Sequence, residues 1–242
     1  MNKIRVAKLY KNYDEVGTAT EHIVMKKLLC DLKKRRPYSY FEILPKTCKL
    51  YFDIENIPIE NENLIKKIIT DLQTYIMTVI PITEELLEYV LTKNSNSTRH
   101  IGLSYHLIFY KIAMDKKDIS NLVKNFLLEE KYREYQKYLD LHAYEHNQLF
   151  RLPYQKNINP NTNQTNLEND YHKIVYGELK DSIIQETNEC RFFRPQFGKI
   201  CQTIRNSKRF YSKEYRAKNC ENYTNIIIAI ELFIVILILL FK

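Results

Sequence analysis

The stretch Lys49-Leu50-Tyr51-Phe52-Asp53-Ile54-Glu55-Asn56 decides how the rest of the chain is read. Its first half is apolar, aromatic and built of strand-favouring residues, and a turn follows at Ile57-Pro58. Alternate residues of a strand face opposite sides. Leu50, Phe52 and Ile54 therefore point into a core, while Asp53 and Glu55 project together from the other face. Two carboxylates held side by side repel each other unless a cation lies between them. A divalent metal is one such cation, because Mg²⁺ takes one or two carboxylates together with substrate phosphates. A solvated strand end carries the same pattern, so the rest of the chain has to decide between the two.

Working outward, Tyr40–Leu44 reads as a second strand, joined to the first by a turn at Pro45-Lys46-Thr47. Residues 1–36 read as helical and basic, with an apolar stripe at Ile23, Met25, Leu28 and Leu29 and a cationic run at Lys33-Lys34-Arg35-Arg36. From Glu62 to Ile80 the apolar positions recur with a helical period, and Pro81 stops the helix. Glu88–Thr92 reads as a strand, Lys93–Arg99 as a polar loop, and Leu103–Phe109 as a return to the sheet. Ser104 and His106 lie two apart on one face of that strand; they serve either as hydrogen-bonded structural residues or as a donor pair for a triphosphate. Asp118–Leu128 reads as a second helix, and a charged, tyrosine-rich stretch leads to Asp140, a third candidate carboxylate. Phe150 and Leu152 are expected to face the core. Arg151 then turns outward, as a surface cation, a partner for Asp140, or a fork for phosphate oxygens. His142 and His146 have the spacing of a helix-face metal pair but lack a third ligand. An Asn-rich loop (157–169), a strand (Tyr171–Tyr176), a short helix (Glu178–Glu186) and a basic stretch from Phe192 to Asn222 complete the body.

Composition narrows the function classes. Hydrophobic residues make up 45% of the 242 and charged residues 27%, which describes a folded chain and excludes a disordered one. The net charge of +8 suits a polyanionic partner, with nucleic acid the leading candidate. The five cysteines form no Cys-x-x-Cys pair and have no neighbouring histidine, so no zinc site is read. Their odd count and a charged N-terminus without a signal-peptide pattern lead us to expect a reducing, intracellular setting.

Three separated pieces share one order: Leu50-Tyr-Phe-Asp-Ile-Glu55, Ser104-Tyr-His-Leu-Ile-Phe109, and Asp140-Leu-x-x-Tyr144-x-x-Asn147-x-x-Phe150-Arg-Leu152. Together they resemble the archaeo-eukaryotic primase superfamily, and most of all its PrimPol-like branch, which includes the primases of large DNA viruses. The resemblance spans roughly residues 38 to 156 and implies an α/β (α+β) fold with an RRM-like sheet and flanking helices. It implies a DNA primase or primase-polymerase, a nucleotidyltransferase acting on a single-stranded DNA template and (d)NTPs, with a helicase in trans. By the same resemblance Asp53, Glu55 and Asp140 bind two Mg²⁺ or Mn²⁺ ions, while Ser104, His106, Arg151 and Lys156 hold the incoming nucleotide. Many members carry a lysine two residues before the serine, where this chain has Gly102.

These readings divide the chain into a catalytic domain (1–190), a basic linker (191–224) and an apolar C-terminal helix (225–242). Ile226–Phe241 is almost wholly apolar, broken only by Glu231, and as a helix spans ~24 Å. It reads either as a membrane anchor or as a segment docking on the body or on a further domain. A second function class stays open beside the enzyme: a catalytically reduced primase-like protein that binds nucleic acid and tethers template to a membrane or replication complex.

Overall fold

The strand carrying Asp53 runs longer than its apolar core requires, from Thr47 to Ile57, and it anchors one of two sheets. The structure is a computed structural model, and it describes residues 3–12, 15–34, 38–94, 102–145, 149–155 and 171–197. All of these except Phe197 belong to one compact unit, Met1–Gln196; the second, Phe197–Lys242, contains the apolar tail. The expectation of a C-terminal helix therefore lies outside the described residues, as do Lys156 and His146. Among the described residues no helix is long and apolar enough to cross a membrane.

The fold is mixed α and β. Its elements in order are β1 (Lys3–Asn12), β2 (Glu15–Val24), α1 (Met25–Leu32), β3 (Tyr38–Ile43), β4 (Thr47–Ile57), α2 (Asn63–Val79), β5 (Tyr89–Asn94), β6 (Leu103–Asp115), α3 (Lys116–Leu128), β7 (Leu149–Arg151), β8 (Lys173–Tyr176) and β9 (Arg191–Phe192). One sheet has the antiparallel order β2-β1-β3-β7. The other has the order β4-β6-β5-β8, with β9 pairing parallel to β6. β3 and β4 are adjacent in sequence but belong to different sheets, so the short turn between them carries the chain from one sheet to the other.

The N-terminal region corrects the helical expectation. Residues 3–12 and 15–24 form an antiparallel hairpin, and the helix is confined to the eight residues Met25–Leu32. The reason is a period of two: Ile4 and Val6 are buried while Arg5 between them is exposed. Of the expected stripe, Ile23 and Leu28 are buried in a core with Ile4, Val6, Leu32, Tyr40, Leu152 and Ile183, and Met25 and Leu29 pack partly buried against it, but from a strand and a short helix. Glu178–Glu186 is likewise no α-helix. It is one 3₁₀ turn at Leu179–Ser182 followed by a second turn at Ile184-Gln185. Lys93 and Asn94, read as loop, are the last residues of β5.

That second turn ties the two sheets together. The main-chain N–H groups of Ile184 and Gln185 donate to Glu42 of β3 at 3.0 and 2.9 Å. Lys49 of β4 donates its own N–H to the Ile184 carbonyl at 2.9 Å. Gln185 brackets the main chain of Arg5 on β1, accepting at 3.1 Å and donating at 2.6 Å. The chain keeps contact with the body beyond residue 190, where Phe193 donates to Ala113 and Gln196 to Val79.

The larger core lies under β4 and β6. Leu50, Phe52 and Ile54 are fully buried, as are Leu107 and Phe109 across from them, and the Phe52 and Phe109 rings meet edge to face at 6.0 Å. α3 packs on β4 and β6, and α2 closes on α3 through Tyr75 and Phe126, whose centroids are 5.3 Å apart. The tyrosine-rich stretch that follows is a 3₁₀ helix, Glu130–Lys137. Tyr132 and Tyr135 stack on Phe126, and the Tyr135 hydroxyl donates to Asp71 of α2 at 2.5 Å. This aromatic stack returns the chain to β4 at the level of Asp53.

Candidate active site

Asp53 and Glu55 share a face of β4 because they are two apart on a strand. Asp140 joins them by main-chain pairing. Leu139 forms an antiparallel bridge with Ile54, the Asp140 N–H donates to the Asp53 carbonyl at 3.0 Å, and the Glu55 N–H donates to the Tyr138 carbonyl at 2.7 Å. One carboxylate oxygen from each of Asp53, Glu55 and Asp140 lies within 4.8 Å of the others. Two tyrosines lock the returning segment. Tyr51 donates its hydroxyl to the Ala143 carbonyl at 2.7 Å, and Tyr144 donates to the Tyr51 carbonyl at 3.1 Å. Asp140 also accepts from the His142 N–H at 2.8 Å, which orients its carboxylate.

The electrostatics of this cluster are unbalanced. Asp53 Oδ1 is sealed from solvent and finds no hydrogen-bond partner among the described residues. Burial holds the Asp53 carboxyl well above the usual carboxylate range; Glu55 and Asp140 push the same way, and Arg151 opposes them. A buried, unpaired carboxylate oxygen facing two more carboxylates has the chemistry of a divalent-cation site, so the donor set fits hard-cation, oxygen-ligand coordination.

His106 stands directly across β4–β6 from Asp53, with Nε2 3.8 Å from Asp53 Oδ1, too far for a hydrogen bond. Burial, and after it Arg151, keep the His106 pKa well below the ordinary value, so the ring is neutral. It lies against Phe150 at 4.2 Å and stacks on His172 at 3.7 Å. Ser104 shares the His106 face and is buried opposite the equally buried Asn94. Arg151 is half-buried on β7, flanked by buried Phe150 and Leu152 as expected. Its charge reaches both Asp53 and His106. The fold therefore gathers Asp53, Glu55, Asp140, His106 and Arg151 around one point, with Ser104 on the adjoining row.

Two features depend on contacts that the sequence does not display. His172 is fully buried and bonded through Nδ1 to the Thr92 hydroxyl at 3.0 Å; only the pairing of β5 with β8 brings it to His106. Gly102 is the other. A Cβ placed there would lie 2.4 Å from the Ile57 carbonyl oxygen, so β4 leaves no room for the lysine that many primase-like sequences carry. No protein-family model matches this chain, and comparison with curated proteins finds no match.

Proposed function

We propose that this chain is a template-dependent nucleotidyltransferase of the primase-polymerase kind, using the archaeo-eukaryotic primase fold with an RRM-like sheet formed around β4 and β6. The observation that carries this reading is the main-chain pairing that sets Asp140 beside Asp53 and Glu55, with a buried Asp53 oxygen lacking a hydrogen-bond partner. In this reading Asp53, Glu55 and Asp140 hold two Mg²⁺ or Mn²⁺ ions, which when bound supply activation of a primer 3′-hydroxyl and charge neutralisation at the leaving pyrophosphate. The side chains do the positioning. Arg151 forks onto phosphate oxygens, as a guanidinium fixed between buried neighbours is suited to do. Neutral His106 offers one ring N–H and Ser104 one hydroxyl to the same triphosphate. The chain's excess positive charge draws the template strand to the protein.

The test is incorporation of labelled nucleotides by the full chain with Mn²⁺ or Mg²⁺ on primed and unprimed single-stranded templates. Incorporation that disappears in Asp53→Ala supports the enzyme. Template binding with no incorporation under either metal overturns it and leaves the reduced, tethering protein as the better account.

A further inference from the structure

We propose that Tyr154, Tyr171 and Lys173 form a stacking platform for the bases of a single-stranded nucleic acid at the edge of the candidate active site. The inference rests on the nucleotidyltransferase reading for its role, though not for its existence.

The first observation is a strained turn. In Leu152-Pro153-Tyr154-Gln155 the Gln155 N–H donates back to the Leu152 carbonyl at 3.3 Å, and Tyr154 has a φ of 62°. Proline second and a positive φ third is the pattern of a type II turn, whose third place normally goes to glycine. A bulky aromatic residue adopts that conformation only at a cost. The turn is fixed on all sides. The Gln155 amide accepts from the Tyr40 N–H at 3.1 Å and donates to the Leu32 carbonyl at 3.3 Å, and the Tyr154 N–H donates to the His172 carbonyl at 2.8 Å. What the strained position presents outward is an aromatic ring, and Tyr154 is 37% exposed. Strain of this kind, retained on a rigid support, marks a position where the side chain itself is needed.

The second observation is the company of that ring. Tyr171 lies beside it at 6.4 Å between centroids, and the Lys173 ammonium sits 5.2 Å from the Tyr171 ring. Two aromatic rings and an exposed cation match what a single strand needs: π-faces that accept any base and positive charge for its phosphates. The third observation is location. His172, between Tyr171 and Lys173, is the residue stacked on His106 opposite Asp53. The platform is therefore joined to the site through His172: Tyr171 and Lys173 are its chain neighbours, and Tyr154 bonds its carbonyl.

The experiment is fluorescence anisotropy of the full chain with labelled oligo(dT) and with an abasic strand of equal length, which keeps the phosphates and lacks the bases. Wild type should bind oligo(dT) at least about tenfold more tightly than the abasic strand, and Tyr154→Gly and Tyr171→Ala should each weaken oligo(dT) binding by about fivefold or more with little effect on the abasic strand. Tyr154→Phe and Tyr171→Phe should bind as wild type. The Tyr154→Gly variant should melt no lower than wild type, since glycine accepts the turn's φ. Equal binding of both strands by wild type, or unchanged oligo(dT) binding by the two ring-removing variants, overturns the platform. Base-dependent binding that the variants lose, in a chain that incorporates no nucleotide, leaves the platform standing and removes the enzyme. Incorporation together with unaffected variants does the reverse.

Discussion

The main-chain N–H of Asp140 donates to the carbonyl oxygen of Asp53 at 3.0 Å, so the third carboxylate of the cluster is placed by backbone pairing and not by its own side chain. With the Glu55–Tyr138 bond on the other side of the Ile54–Leu139 bridge, main-chain pairing sets the three acidic groups side by side. The fold thereby accepts a repulsion that a cation would relieve.

The first prediction follows from that repulsion. Mn²⁺ at about a hundredfold excess over its dissociation constant should stabilise the full chain by roughly 2–3 kcal/mol, read as a rise in melting temperature. Asp53→Asn should melt higher than wild type in chelator, because it removes the buried charge facing Glu55 and Asp140, and it should lose most of the Mn²⁺ shift. A metal shift of equal size in the variant would show that the cluster is not the binding site.

Tyr144→Phe tests the lock on the returning segment. It deletes one buried hydrogen bond to the Tyr51 carbonyl while keeping the ring packed 5.2 Å from Tyr51. The expected loss is about 1 kcal/mol of stability. A smaller Mn²⁺ shift should accompany it, since Asp140 lies on the segment the bond secures. Loss of stability with an unchanged metal shift would confine Tyr144 to packing.

At Gly102 the expectation is steric. The left-handed backbone at Asn56 (φ 59°) accompanies an irregular stretch of the β4–β6 ladder, and it brings the Ile57 carbonyl against Gly102. Gly102→Ala should destabilise by about 1–3 kcal/mol in urea unfolding, and Gly102→Lys by at least as much. A lysine variant as stable as wild type would mean that this approach is not close.

Arg151 carries the nucleotide part of the proposal. Arg151→Ala should raise the KM for nucleotide by about tenfold or more, the scale of a lost charge-assisted bond. Arg151→Lys should recover little of it, because an ammonium cannot fork onto two oxygens. Full recovery by lysine would reduce the residue to a point charge.

Much of this arrangement is legible in the sequence, for reasons that differ by element. α2 and α3 are long and strongly periodic, so their burial follows from spacing, while β4 and β6 are near-continuous apolar runs buried on both faces. Pattern also singles out Asp53, Glu55 and Asp140, which fold into one cluster. The N-terminal hairpin is obscured because Ile23, Met25, Leu28 and Leu29 imitate a helical stripe across a strand-to-helix junction. His172 and Glu42 are illegible for a different reason. Each looks like an ordinary polar residue of a strand, and its burial depends on a distant partner: β5 for His172, and Ile184-Gln185 for Glu42.

Glu42 supplies the last prediction, a pH dependence. It is fully buried on β3 and accepts the two main-chain N–H groups that tie the sheets together. Burial pushes its carboxyl up to about 7, against the pull of those two donors and of Lys49, whose own pKa burial pushes down. The folded value stands above the unfolded one near 4.5, so the folded state holds the proton more tightly. The stability this contributes is complete below the unfolded value and is lost as pH rises through the folded one, for a total of about 3 kcal/mol. Glu42→Gln cannot titrate. The unfolding free energy of wild type minus that of Glu42→Gln should therefore fall between about pH 4.5 and 7 and stay level above that range. Parallel curves across this range would place the Glu42 proton elsewhere and leave the bonds from Ile184 and Gln185 insensitive to pH.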